Sequence, residues 1–325
     1  MTTRRQTLAL ALGAVAAPSL VQAQAPAWRP DRPVRLIVPF APGGSNDIVA
    51  RIIAESVGAA LGQTVIIENR AGAGSVIGSE FVARSAPDGH TLLINSAHST
   101  VPAIVARVPY NAVTDFAGVA VAGFSPHVLV ASSRVPATNA QELVALLRAN
   151  PGRYNQATAG IGSSTHVAGE LLRAVLRVQT ELVHYRGGGP AVVALVSNES
   201  HFGTPTMASC LGQVRGGSVK ALAVLGTARS AALPNVPTVA EAGIPGVELD
   251  EFFPILAPAG TPGAALAALS AAFTGAITQN AARMQELSGV TFRPGFDTPE
   301  TVMRVVREGV ESYTRILRNA GVQAE

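Results

Sequence analysis

Three short runs put small residues and hydroxyls where a strand gives way to a helix: Phe40-Ala41-Pro42-Gly43-Gly44-Ser45-Asn46, Ala159-Gly160-Ile161-Gly162-Ser163-Ser164-Thr165-His166 and Tyr185-Arg186-Gly187-Gly188-Gly189-Pro190. The chemistry they offer is capture of an anion. The first turn of a helix leaves N–H groups unpaired and carries a partial positive charge, and glycine lets a ligand approach the main chain closely. One such junction reads equally well as an ordinary turn with Ser45, Asn46 or Ser164 as an N-cap. Three in one chain point to a pocket for a negatively charged group. Asp47 qualifies the first of them, because its charge in the first helical turn competes with an anion for the same dipole. Its carboxylate is expected to turn away, bonding the loop's own backbone or facing an amino or hydroxyl group of a ligand.

Catalytic chemistries find less support. The run Gly72 to Gly78 follows a strand but spaces its glycines one residue too far for a dinucleotide fingerprint, and Gly160-Ile161-Gly162 puts Thr165 where the last glycine should stand. Neither a phosphate-binding G-x-x-x-x-G-K-[ST] loop nor a G-x-S-x-G elbow occurs. Ser163 or Ser164 with His166 could form a nucleophile and base, which keeps an α/β hydrolase as the alternative reading, but no third, orienting group is marked. The six histidines show no metal-ligand spacing.

The elements that must position these junctions are legible as alternating strand-length and helical patterns. Strands are expected at "VRLIVPF", "TVIIENR", "TLLINS", "HVLVASS", "YNQATAG", "ELVHYRG" and "VKALAVLG", with helices such as "NAQELVALLRAN" and "STHVAGELLRAVL" between them. This is an α/β chain with mostly parallel sheets. In such sheets the loops at the carboxyl ends of strands are where ligands bind. The proline-rich runs near residue 135 and from Ala232 to Gly246 read as loops. The last third turns helical in two segments, each opened by Thr-Pro.

Composition narrows the class further. Residues 1 to 23 carry Arg4 and Arg5, no acid, an apolar run from Leu8 to Val21 and small residues at Ala23 and Ala25, the pattern of a secretory signal cleaved near Ala23. The twin arginine leaves the twin-arginine route open beside the general one. Removing the segment takes the formal charge from +3 to +1, which leaves no nucleic-acid footprint. The one cysteine, Cys210, permits no intramolecular disulfide. A mature chain of about 300 residues suggests two domains.

Taken in order, "RPVRLIVPFAPGGSNDIVARIIA", "LGQTVIIENRAGAGSVIGSEFVARSAPDGHTLL", "ATAGIGSSTHVAGELL", "VHYRGGGPAVVALV", "VKALAVLGTARSAALPNVPTVAEAGIPG" and "ILAPAGTP" resemble the Bug family, the extracytoplasmic solute receptors of tripartite tricarboxylate transporters. The resemblance runs from about Trp28 to the C-terminus. It implies a type II periplasmic-binding-protein-like fold, two α/β domains around a ligand cleft joined by two crossovers. Domain 1 would span 28–125 plus 253–325, and domain 2 would span 126–252. It further implies a periplasmic protein that binds a small carboxylate and delivers it to a membrane permease. Such a receptor acts as a monomer without metal, cofactor, nucleic acid or membrane insertion. A receptor presenting its ligand to a periplasmic sensor is a further alternative.

On this reading a carboxylate is held by main-chain N–H groups of the loop Phe40, Ala41, Gly43, Gly44 and Ser45, against Gly160, Gly162, Ser163, Ser164 and His166 of the other domain. Charge-assisted bonds to such donors need no arginine. Tyr185 would add an aromatic wall beside Gly187. Asn95, Ser96 and His98 end another strand and could face the cleft, with His98 also readable as a solvated loop residue. Relatives commonly carry a Phe-Asp-Asn run where this chain has Thr204-Pro205-Thr206. Two readings of the acid missing at Pro205 stand: it removes a partner for a ligand amino group, or the loop merely repacks.

Overall fold

The computed structural model describes residues 28–105 and 107–322. The expected leader and its cleavage point lie outside the described residues. Along the chain run β1 (Val34–Val38), α1 (Ser45–Leu61), β2 (Val65–Asn69), α2 (Val76–Ala83), β3 (Thr91–Ile94), α3 (Val101–Ile104) and β4 (Phe116–Pro126). There follow β5 (Val128–Ser132), α4 (Ala140–Ala149), β6 (Gln156–Thr158), α5 (Ser164–Leu176), β7 (Leu182–His184), α6 (Gly188–Ser197), β8 (Phe202–Gly203), α7 (Met207–Arg215) and β9 (Val219–Val224). The chain closes with β10 (Asp250–Pro258), α8 (Gly263–Gln279), α9 (Ala281–Ser288) and α10 (Pro299–Asn319). Single 3-10 turns cover Ala73–Ser75 and Ser96–His98.

Two five-stranded sheets result, ordered β2-β1-β3-β10-β4 and β7-β6-β8-β5-β9. Each belongs to one α/β lobe. The near-continuous apolar run of β1 is buried on both faces, as a parallel interior strand requires. Its Leu36 and Val38 pack with Ile53 of α1, Phe253 of β10 and Phe273 of α8. In the second lobe Val128, Val130, Leu195 and Leu211 form a separate cluster. A third cluster spans both lobes, from Leu129, Leu172 and Phe202 to Val302, Val306 and Leu317 of α10. That places the helical last third: α8 covers the first sheet and α10 braces it against the second lobe.

The sheets are mixed, not mostly parallel. Strands β1, β2 and β3 pair in parallel, as do β6, β7 and β8, but β10 runs antiparallel to both its neighbours and so does β5. The cause is the connection between lobes. Strands β4 and β5 carry the chain out of the first lobe, interrupted by His127, and β10 brings it back beside them. Asp250 pairs with Pro126, Glu251 with Ser125, and the Leu225 N–H donates to the His127 carbonyl at 2.8 Å. The two crossovers therefore lie against each other as one narrow, hydrogen-bonded strap.

Candidate functional site

The loops named at the outset converge where the lobes meet. The loop after β1 (Pro39–Gly44) and the turn after β3 come from the first lobe, and the segments after β6, β7 and β8 come from the second. The contact between them is made largely by main chain. The Ala41 N–H donates to the Arg186 carbonyl at 3.0 Å, and the Thr100 hydroxyl donates to the Gly162 carbonyl at 2.7 Å. A Cβ at Gly44 would stand 3.4 Å from the Gly188 nitrogen, and one at Gly74 would fall 1.4 Å from the Ile161 carbonyl oxygen. Absence of side chains at these points is what lets the lobes approach.

Between them lies a tight cavity of about 20 Å3, bounded by Phe40, Gly44 to Asn46, Ser96, the start of α5, Gly188, Thr206 and Glu251. Four helices end on it. Gly44, Gly187 and Thr206, the N-caps of α1, α6 and α7, make no side-chain capping bond, whereas Ser163 caps α5 by accepting from the His166 N–H at 3.2 Å. Three sets of first-turn N–H groups are thus left without a side-chain acceptor beside a buried cavity, and their dipoles favour negative charge there. An outer groove of about 410 Å3, lined by Gly72 to Ser75, Gly160, Ile161 and Tyr185, shares Phe40 and Ala159 with the inner cavity. A larger depression of about 790 Å3 runs beside α1 from Arg51 to Gln63. No converging helix ends mark it, so the interlobe cavity is the candidate site.

Of the residues expected to bind, Phe40, Gly44, Ser45, Ser96, Ser163 and Ser164 line the inner cavity. Gly160 and Tyr185 line the outer groove. The Tyr185 hydroxyl is engaged there by Glu199 at 3.0 Å and Ser200 at 3.1 Å. Ala41, Gly43, Gly162 and Gly187 belong to the closing loops behind the cavity wall, Gly43 with φ +81°. Thr204 turns inward to accept from Gln156 at 3.3 Å. Asp47 lies outside the wall: its carboxylate accepts from the Gly43 N–H at 3.0 Å, from Arg51 at 2.9 Å and from Asn69 at 3.1 Å. Burial opposes its ionisation, yet the bonds from Arg51, Gly43 and Asn69 outweigh burial and hold the carboxyl below its usual range. It organises the loop and leaves the dipole free.

His166 also faces away from the cavity. Its Nδ1 accepts from the Gly162 N–H at 3.2 Å, and the ring meets His184 edge-on. Burial, with His184 and Arg173 nearby, lowers it to about 4. The Ser163 hydroxyl donates to the Gly160 carbonyl at 2.7 Å and that of Ser164 to Glu251 at 2.6 Å. Neither serine hydroxyl has the imidazole as its hydrogen-bond partner, so the nucleophile–base contact of a hydrolase is not formed. His98 is a correction. It is fully buried, edge-on to Phe116 at 4.6 Å, with Nε2 bonded to the Ala112 carbonyl at 2.8 Å, and burial lowers it to about 4.

Glu251, Gly188, Thr206, Ser209, Ala159 and Thr165 were missed as site residues. Asn46, read only as a cap, exchanges bonds of 2.8 and 2.9 Å with Ser96 and so locks α1 to the end of β3. Gly188 lies inside the run Gly187-Gly188-Gly189, in which residue type does not distinguish one glycine from the next. Glu251 had no signal, because the strand that carries it was not recognised.

Comparison with known proteins gives a consistent result. Residues 49–322 match the family described as tripartite tricarboxylate transporter family receptor. Protein BugT of Bordetella pertussis is 33% identical over 297 residues, 90% of this chain and 91% of that protein. The structure of periplasmic binding protein BugD is similar with a TM-score of 0.86 and 32% identity, covering 91% of this chain and all of the other. MatC of Rhodopseudomonas palustris, solved with bound malate, aligns with a TM-score of 0.84 and 32% identity over 89% of this chain and 99% of its own.

Proposed function

The chain belongs to the tripartite tricarboxylate transporter receptor family, and from that premise we propose that it is a periplasmic receptor that captures a small carboxylate between its lobes and delivers it to a membrane permease. The observation that carries the reading is the convergence of α1, α6 and α7, without side-chain caps, on one buried cavity. Main-chain donors bind a carboxylate with charge-assisted hydrogen bonds, and no cationic side chain lines the space. Two α/β lobes on a double strap suit hinge closure around a ligand. The domains proposed are about 28–125 with 253–325, and about 126–252. No helix among the described residues is long and apolar enough to cross a membrane. Delivery to a permease calls for docking of the loaded receptor, with export directed by the leader.

The test is a melting screen of the mature protein against malate, succinate, adipate and citrate. A ligand present at about 100 times its Kd should stabilise the fold by ~2.7 kcal/mol, read as a rise in Tm. Absence of a shift with every carboxylate, in protein that melts cooperatively, would remove the reading.

A further inference from the structure

Among the residues lining the inner cavity one is ionisable, and it is an acid. Glu251 stands on β10 beside the strap, 2% exposed, and its Oε1 accepts the Ser164 hydroxyl at 2.6 Å. Its second oxygen, Oε2, is buried with no partner at hydrogen-bond geometry among the described residues, although the Ser96 hydroxyl also acts on this carboxyl. An unmet buried polar atom is costly, so this one calls for a partner from whatever enters the cavity. We propose that Glu251 meets the ligand as a carboxylic acid, donating the hydrogen on Oε2 to a carboxylate oxygen of the ligand, so that each carboxylate is captured together with one proton.

The inference rests on the function proposed above and follows from charge. An entering carboxylate would put a second negative group beside Glu251, which lines the inner cavity. Two carboxylates held that close without a cation share a proton, since both cannot stay ionised. The surrounding elements supply no cation. Asp250, next on β10, pairs with Arg293 at 3.5 Å, and Tyr313 of α10 donates its hydroxyl to the Asp250 carbonyl and is held protonated by burial. Arg51 of α1 is spent on Asp47. His98 after β3, His127 in the strap and His166 of α5 are kept neutral by burial, each lowered to about 4. Burial lifts Glu251 itself to about 7, against the opposing hydroxyls of Ser164 and Ser96. Above the free value of Glu251 the proton comes from solvent on binding, ends on Oε2, and returns when the ligand leaves, while below it Oε2 already carries the proton; no bond of the ligand changes.

Linkage fixes the sign. Affinity is full while free Glu251 is protonated, and falls as pH rises above its free value toward the higher value of the complex. The experiment is titration calorimetry of the mature protein with whichever of malate, succinate or adipate binds at about pH 6.5. Parent and Glu251→Gln are compared at about pH 6.5 and about pH 8.5, in buffers of different ionisation enthalpy. The parent should bind roughly 25-fold more weakly at the higher pH and take up close to one proton per ligand there. Glu251→Gln, which keeps a donor without a titrating group, should bind as tightly as the parent at the lower pH, lose nothing at the higher, and take up no proton. A parent whose affinity is flat across the range without proton uptake overturns the proposal. So does a folded Glu251→Gln that binds more than tenfold more weakly at about pH 6.5, the behaviour of an ionised acid reading a donor group on the ligand. If no dicarboxylate binds either protein at either pH, the function itself fails and takes the proposal with it.

Discussion

At Gly74 one hydrogen in place of a methyl group decides whether the lobes can meet. The residue adopts φ +60°, and a Cβ there would overlap the Ile161 carbonyl oxygen across the cleft at 1.4 Å. Gly74→Ala should leave both cores intact, lose about 1–2 kcal/mol to the left-handed backbone, and weaken carboxylate binding at least tenfold by holding the lobes apart. Gly152→Ala provides the control, since Gly152 has φ +74° with nothing within 4 Å of a Cβ. It should share the backbone cost and bind as the parent does. Equal binding by the two variants in calorimetry would show that closure does not pass through Gly74. At this scale the sequence was informative where chemistry is local. Gly43 and Gly44 in "APGGSND" announce a bend that presents main chain, and the conflict between Asp47 and an anion foretells that its carboxylate turns aside. What could not be read is partnership across distance: Thr100 with Gly162, or Ser164 with Glu251, joins residues 62 and 87 positions apart.

Helices in this protein end in two ways. Asn139 caps α4 by accepting from the Glu142 N–H, and Thr298 closes α10 with a reciprocal capping box. Of the helices that begin at the cavity, α5 is capped by Ser163 while α1, α6 and α7 do without, as α2, α3, α8 and α9 do elsewhere; α1 and α6 start from glycine. Gly44 has φ −84° and ψ 172°, the extended geometry of a good N-cap. Gly44→Ser should therefore cap α1 and change stability by only a few tenths of a kcal/mol. The same hydroxyl would occupy an N–H meant for the ligand and press its Cβ toward Gly188, so carboxylate affinity should fall about tenfold. An affinity unchanged from the parent would mean that α1 contributes no donor. Elements were legible where periodicity and punctuation agree, as in β1, α4 and α10. They were not where a bulge rescues a residue that strands exclude: β10 carries Pro254 in the middle of a sheet, and the register shifts between Phe252 and Pro254 to accommodate it. Missing β10 meant missing Glu251.

Chain length suggested two lobes, but the two crossovers were readable only through the resemblance, because periodicity gives strands without their order. The order has a consequence for how the molecule is made. All strands of the second sheet come from one stretch, Val128 to Val224, whereas β10 is wedged between β3 and β4 of the first. From the end of β4 to the start of β10, synthesis at ~5–20 residues per second takes roughly 6 to 25 seconds. Chains ending near residue 245 should accordingly yield, under limited proteolysis, a resistant fragment from about residue 127 onward and a first segment cut readily. Equal protection of both parts would contradict this. A receptor proposed to hold its ligand between two lobes is thus also one whose earliest-made lobe matures last, and until β10 arrives the facing edges of β3 and β4 stand open to pairing with other chains.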